Sequence, residues 1–97
     1  MNGELITVKE YCVHYQAEPD FVNALEQNGL ITLTVVEAEP CISFEELHAL
    51  ETYSSWYYDM NINVEGIDAL TNVLEKMKAM QKQLDDLRSR LRLYENG

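Results

Sequence analysis

The chain has 97 residues, of which 46% are hydrophobic and 25% charged, as is typical of one small globular domain. It lacks the run of about 18 apolar residues that a transmembrane helix requires, so the sequence predicts none. The net charge of −10 is uneven: residues 1–75 hold fourteen acids and one base, Lys9, whereas residues 76–97 hold six bases and three acids. Because such an acidic region repels phosphate backbones, we expect a basic partner there rather than nucleic acid.

The few residues with reactive side chains predict neither an enzyme nor a cofactor site. Cys12 and Cys41 are too few for a disulfide framework and lack metal-ligand spacing. His14 and His48 are far apart, without a nucleophile–base set or a glycine-rich phosphate loop, so we predict no catalytic, metal or cofactor residue. The first residues lack a basic stretch before an apolar core, so we expect no signal peptide and a cytoplasmic, reduced protein.

Two short helices are predicted first. Residues 7–10, Thr-Val-Lys-Glu, match a capping box, and apolar residues recur at helical spacing to Tyr15. A second helix begins near Pro19, which suits a first turn, and ends at Gly29, which suits a C-terminal stop. Its apolar face holds Phe21, Val22 and Leu25. Two short helices with a tight connection predict a helix-turn-helix pair.

A small β-wing is predicted next. Residues 30–36 are rich in β-branched side chains and favour a strand, and residues 37–40 interrupt it. Residues 41–42 return as a short second strand. Neither strand is stable alone, so we expect the wing to rest on the helices.

A third helix is predicted from a second capping box, residues 43–46, to about Met60. Its apolar residues, including Phe44, fall on two neighbouring stripes. One stripe packs against the preceding elements, and the other needs to be covered by the last helix or by a partner. The cluster Trp56, Tyr57 and Tyr58 has two interpretations: packing under the last helix, or an anchor for a partner, since aromatic residues dominate binding hot spots.

The last helix, from Val64 almost to the end, has a coiled-coil pattern. Its apolar residues alternate spacings of three and four across four heptads. A helix of about 30 residues spans roughly 45 Å, longer than a lobe of this size, so we expect its distal half to project and pair with a second copy. The alternative is that the helix folds back onto the lobe, which would suffice to cover Leu70 and Val73. The predicted dimerisation residues are Leu70, Val73, Met77, Met80, Leu84, Leu87, Leu91 and Tyr94.

The order of these elements resembles MerR-type regulators. Short segments similar to those of MerR-type regulators occur at residues 6–10, 25–31 and 42–47. Residues 59–67, with Gly66 before an apolar helix, most resemble a small branch of that family, the CbpM-like chaperone modulators. In the second helix, Asn23-Ala24-Leu25 stands where DNA-binding relatives carry an arginine followed by aromatic residues.

The resemblance implies a mainly α fold, with a MerR-like winged helix-turn-helix lobe over residues 1–63 and a dimerisation helix over 64–97. It implies a homodimer that binds and inhibits the J-domain of a DnaJ/CbpA-like co-chaperone. The alternative is a MerR-like DNA-binding transcriptional regulator, and the acidic lobe favours the first. The predicted partner-binding residues are Glu10, Glu18, Asp20, Glu26, Trp56, Tyr57 and Tyr58.

Overall fold

The computed structural model describes the backbone of residues 4–96 and the side chains of residues 4–95. It confirms the predicted architecture, a helical lobe with a small sheet followed by one long helix. The first three residues, on which the signal-peptide prediction rests, and residue 97 lie outside this description. We use "lobe" for residues 4–63. The elements in order are β1 (Leu5–Thr7), α1 (Val8–Tyr15), α2 (Pro19–Gln27), β2 (Thr34–Val36), β3 (Glu39–Ser43), α3 (Phe44–Ser54), a π-helical turn (Ser55–Asp59) and α4 (Val64–Asn96).

The ends of α1 and α2 follow from local chemistry. The Thr7 hydroxyl accepts the Glu10 backbone N–H at 3.0 Å, and the Glu10 carboxylate accepts the Thr7 N–H at 3.0 Å, so the predicted first capping box is confirmed. Pro19 occupies the first turn of α2. Gly29 adopts a φ of +76°, where a side chain would be strained, and the Leu30 N–H then reaches the Leu25 carbonyl at 2.9 Å.

The sheet has three antiparallel strands in the order β1-β3-β2, and it differs from the predicted two-stranded wing. The strand predicted over residues 30–36 is confined to Thr34–Val36, because Ile31 is buried in the core and the Thr32 N–H bonds to a side chain instead of a strand. Strand β3 is longer than predicted, since only residues 37 and 38 form the turn. Strand β1 was not predicted; it exists through its pairing with β3.

The second predicted capping box, at residues 43–46, is wrong. Ser43 precedes α3 but its side chain makes no capping hydrogen bond. The Glu46 carboxylate instead accepts the backbone N–H of Thr32 at 2.9 Å, because the loop before β2 brings an N–H group without a strand partner within reach. Helix α3 continues through the π-helical turn to Asp59, close to the predicted end.

The core lies between α1, α2, β3, α3 and the start of α4. Leu50 of α3 and Ile67 of α4 are fully buried, so the first turns of α4 belong to the lobe's packing. Beyond Glu75, all side chains of α4 that the structure describes are exposed. With 33 residues, α4 is about 50 Å long, and it extends the molecule to 61 Å. The buried core residues are Val8, Tyr11, Cys12, Ala17, Phe21, Val22, Leu25, Ile31, Ile42, Leu50, Val64 and Ile67.

Both cysteines are free thiols and both are buried. Cys12 lies in the core, and burial raises the pKa of its thiol. Cys41 lies in β3, where its thiol donates to the Glu39 carbonyl at 3.5 Å. Among the residues described, no three His, Cys, Asp or Glu side chains are grouped as metal ligands would be. Within residues 4–96, no helix combines the length and apolar content of a membrane span.

Candidate protein-interaction surface

The four predicted acidic partner-binding residues are all exposed, on the two helices of the helix-turn-helix. Glu18 and Asp20 lie together where α2 begins. Glu10 lies in the first turn of α1, far from the connection to α2, and its carboxylate holds the Thr7 cap. Glu26 lies in the last turn of α2. The structure therefore groups Glu18 with Asp20 at the α1–α2 turn, whereas Glu10 and Glu26 lie at the ends of their helices that are remote from this turn.

Positive charge is scarce on this lobe. Lys9 is the only lysine or arginine among residues 4–75, and its ammonium lies 3.8 Å from the Glu39 carboxylate. Both side chains are substantially exposed, so this ion pair contributes little to stability. Helix α2, the helix that enters the major groove in a DNA-binding helix-turn-helix, exposes Asp20, Asn23 and Glu26 but carries no cationic side chain. Its surface repels phosphate and attracts cations.

The aromatic cluster packs against α2. The ring of Phe21 stacks on Tyr57, with centroids 4.3 Å apart, and meets Tyr58 edge-on at 5.3 Å. Trp56 and Tyr57 are half-buried against the core, whereas Tyr58 is 39% exposed. The Tyr58 hydroxyl accepts the backbone N–H of Glu18 at 2.9 Å. This bond joins the aromatic cluster to the acidic start of α2 in one surface.

A cavity of about 580 Å³, which we call the tyrosine pocket, lies between α1 and α3. The Tyr15 hydroxyl donates to Glu51 at 2.8 Å, and the Tyr11 hydroxyl is 2.8 Å from that of Ser54. The Ser55 hydroxyl donates to Asp59 at 3.3 Å. Its lining consists of Tyr11, Tyr15, Gln16, Glu51, Ser54, Ser55, Tyr58 and Asp59.

The tyrosines of this pocket are neutral phenols at physiological pH. Burial raises the pKa of Tyr11 and of Tyr58, and the hydrogen bond to the Glu51 carboxylate raises the pKa of Tyr15. Sequence reasoning missed Glu51 and Asp59. Tyr15 and Glu51 are 36 positions apart, so no local pattern relates them.

An open groove of about 800 Å³, which we call the apolar groove, adjoins the pocket. Val13, 81% exposed, and Phe44, 52% exposed, are its most accessible apolar side chains. Phe44 was predicted on an apolar stripe of the third helix, and the structure places it at the surface because no described element covers the start of α3. The groove is lined by Leu5, Ile6, Lys9, Glu10, Val13, His14, Tyr15, Phe44 and Leu47.

The predicted dimerisation residues lie along α4, and we call them the seam. Leu70 is half-buried near the lobe, and every member from Val73 onward is exposed. Leu84 is 48% exposed and Leu87 is 59% exposed. The lobe of the same chain does not cover them, so their pairing with a second copy stays a prediction.

Comparison with known proteins places this arrangement in a family. A family model described as MerR HTH family regulatory protein matches residues 6–89, from β1 to the distal half of α4. No curated protein matches the chain. No solved structure matches it either. The family match covers the helix-turn-helix, the wing, α3 and most of α4, and the chain therefore belongs to the MerR family of helix-turn-helix regulatory proteins.

Proposed function

We propose that this protein is a modulator that binds the J-domain of a DnaJ/CbpA-like co-chaperone and inhibits its activity. The observation that carries the proposal is the charge of the lobe, whose exposed helix-turn-helix presents acids and a single base paired with Glu39. The resemblance of residues 59–67 to the CbpM-like modulators supplies the partner. The modulator acts as a homodimer through the seam.

An acidic surface of this kind suits a basic helix. Complementary charge accelerates encounter and selects the partner, while affinity depends on apolar anchors that lose contact with water. Tyr58 is such an anchor, since its ring is partly exposed and its hydroxyl is fixed on the start of α2. Occupying the basic helix of a J-domain would keep that helix from its Hsp70 partner.

The second candidate function is that of a DNA-binding regulator, which membership of the MerR family favours. Affinity for duplex DNA depends on cationic contacts to phosphates, and the described lobe offers only Lys9 for them. The bases of α4 give at most weak, salt-sensitive binding. A gel shift with the region upstream of the gene, at about 150 mM salt, separates the two functions. Submicromolar, sequence-dependent binding would favour the regulator.

The modulator is tested by calorimetric titration with a J-domain. In the test variant, Glu18→Lys, Asp20→Lys and Glu26→Lys reverse three exposed charges. In the control variant, Glu75→Lys, Asp85→Lys and Asp86→Lys change the net charge equally on α4. Each exposed charge pair is worth about 0.2–1 kcal/mol, so the triple test variant should bind about threefold to a hundredfold more weakly, and the control should bind nearly as tightly as the parent.

Glu10 needs a separate variant because its carboxylate also holds the Thr7 cap. Glu10→Gln removes the charge and keeps a side chain that completes a capping box. The functional readout is the J-domain-stimulated ATPase rate of an Hsp70, which we expect to fall as the parent protein reaches one equivalent. An unchanged ATPase rate at saturation, or equal losses of affinity in the test and control variants, would overturn the proposal.

A further inference from the structure

The apolar groove and the tyrosine pocket form one continuous surface, which we call the α1–α3 face. They share Tyr15, which lines both. Val13 and Phe44 supply exposed apolar area on the groove side, and the half-buried Leu47 also lines the groove. No other element of residues 4–96 lies over this face. A contiguous exposed apolar patch beside polar groups is typical of a protein-binding surface.

The pocket side of this face is suited to a cation. Glu51 and Asp59 each use one carboxylate oxygen to accept a hydroxyl, and neither lies within 4 Å of a basic side chain of residues 4–95. Tyr15 and Tyr58 are the exposed aromatic rings of the same cavity. Cations are attracted to the faces of aromatic rings and bind carboxylates, and a planar guanidinium does both well.

We propose that the α1–α3 face is the docking surface for a basic amphipathic helix of the partner. Apolar side chains of that helix fill the groove beside Val13 and Phe44, and an arginine side chain enters the tyrosine pocket toward Glu51. This inference rests on the proposed function and deepens it, because it extends the binding surface from the acidic α1–α2 turn, through Tyr58, onto α1 and α3. The arrangement is that of a helix laid into an apolar groove with charged edges.

The occupant is a partner helix rather than the basic tail of a second copy. Among the described residues of the tail, 76–95, the large apolar side chains lie on the seam, and Leu93 is the exception. A tail that pairs through its seam has only this one side chain left to fill a groove lined by several apolar residues. The partner helix brings both the apolar stripe and the positive charge that complements the acidic lobe.

The first test uses a synthetic helical peptide of about fifteen residues, with leucines spaced three and four apart and flanking arginines. A matched peptide carries glutamine for every arginine. In an NMR titration of the ¹⁵N- and ¹³C-labelled protein, we expect the arginine peptide to shift the signals of Val13, Tyr15, Phe44 and Glu51. The glutamine peptide should bind at least about fivefold more weakly. Shifts confined to the α1–α2 turn or to α4 would overturn the proposal.

The second test uses substitutions at exposed positions, where we expect the fold to stay intact. Val13→Asp places a charge in the groove. Its control, Val35→Asp, changes another valine, 68% exposed, on the wing. Glu51→Gln removes charge but still accepts the Tyr15 hydroxyl, and its control is Glu45→Gln at the exposed start of α3. We expect Val13→Asp to weaken peptide binding about tenfold or more and Glu51→Gln about threefold to fivefold, with neither control affecting it.

The same variants with a J-domain separate this inference from the proposed function. If the parent binds the J-domain and Val13→Asp does so equally well, the α1–α3 face is not the docking surface, although the modulator function stands. If the arginine peptide binds this face but no J-domain binds the protein, the proposed modulator function is wrong, although the α1–α3 face is a docking surface for a basic helix. A Val13→Asp protein that changes its oligomeric state by sedimentation velocity would show that a second copy occupies the face, which also overturns the proposal.

Discussion

The Tyr58 hydroxyl accepts the backbone N–H of Glu18 at 2.9 Å and thereby ties the π-helical turn to the start of α2. Glu18 precedes α2 without a side-chain capping bond of its own. The first N–H groups of a helix have no partner inside it, so an acceptor from another element substitutes for a local cap. The orientation of α2 relative to α3 therefore depends on a contact between residues 40 positions apart.

Replacing Tyr58 by phenylalanine tests this contact. The ring still packs against Phe21 and Tyr57, so the variant loses only the acceptor for the Glu18 N–H. We expect the free energy of unfolding to fall by about 0.5–1.5 kcal/mol, because water replaces part of the lost hydrogen bond. Urea denaturation measures the change. Tyr94→Phe, at an 85% exposed position on α4, is the control, and an equal loss there would contradict the role of the hydroxyl.

The two serine or threonine residues before α1 and α3 should differ in their contribution to stability. Thr7→Ala removes a capping hydroxyl and should lower the free energy of unfolding by about 1 kcal/mol. Ser43→Ala removes a hydroxyl that makes no cap bond, so we expect a change below about 0.5 kcal/mol. Thermal or urea unfolding of both variants checks the contrast. A larger effect at Ser43 than at Thr7 would show that the Ser43 hydroxyl caps α3, contrary to the structure.

The exposed seam predicts a dimer that aspartates in α4 dissociate. Leu84→Asp combined with Leu87→Asp puts two charges into the seam, and we expect a monomer in sedimentation velocity at micromolar concentration. Ala79→Asp with Ser89→Asp adds the same charge at positions off the seam and should leave the dimer intact. A dimer that survives the seam variant would place the contact elsewhere, for example on the α1–α3 face.

Stability should fall at alkaline pH. Burial raises the pKa of Tyr11, Tyr53 and Tyr58, and the Glu51 hydrogen bond raises that of Tyr15. The unfolded chain, whose tyrosines titrate near pH 10, then loses these protons before the folded protein does. Stability from these groups is fully present below about pH 10 and decreases above it. Urea midpoints between about pH 8 and 11 measure the decrease, and Tyr11→Phe should reduce its slope. A urea midpoint that rises over this pH range would contradict the predicted loss of stability.

Elements with a signal inside a few residues could be predicted from the sequence. The Thr7–Glu10 pair, Pro19 and Gly29 delimit the first two helices, and the regular spacing of leucines predicts α4. What could not be predicted depends on distant partners. Strand β1 has three residues and exists because β3 pairs with it. The Glu46 carboxylate, which the sequence predicts at the start of α3, instead accepts the backbone N–H of Thr32, 14 positions away.

The candidate site shows the same division. The exposure of Glu18 and Asp20 follows from the helical period of α2, and the aromatic cluster is visible in the sequence as three consecutive residues. The pocket that Glu51 and Asp59 share with Tyr15 arises only when α1 packs on α3. Val13 is an apolar residue that composition alone would assign to a core, yet its position on α1 leaves it at the surface.

The outer strand of the wing has a dynamic consequence. All three residues of β2 are exposed, its hydrogen-bonded neighbour is β3, and the turn between the two strands places Glu37 and Ala38 at φ values of 51° and 67°. Local opening of this strand moves no buried side chain of its own into water. It also relieves a left-handed backbone that non-glycine residues adopt at a cost of about 1–2 kcal/mol each. The amide protons of Val35 and Val36 should therefore exchange with deuterium well before those of Cys12 in α1. A short insertion between residues 37 and 38 should be tolerated without unfolding the lobe.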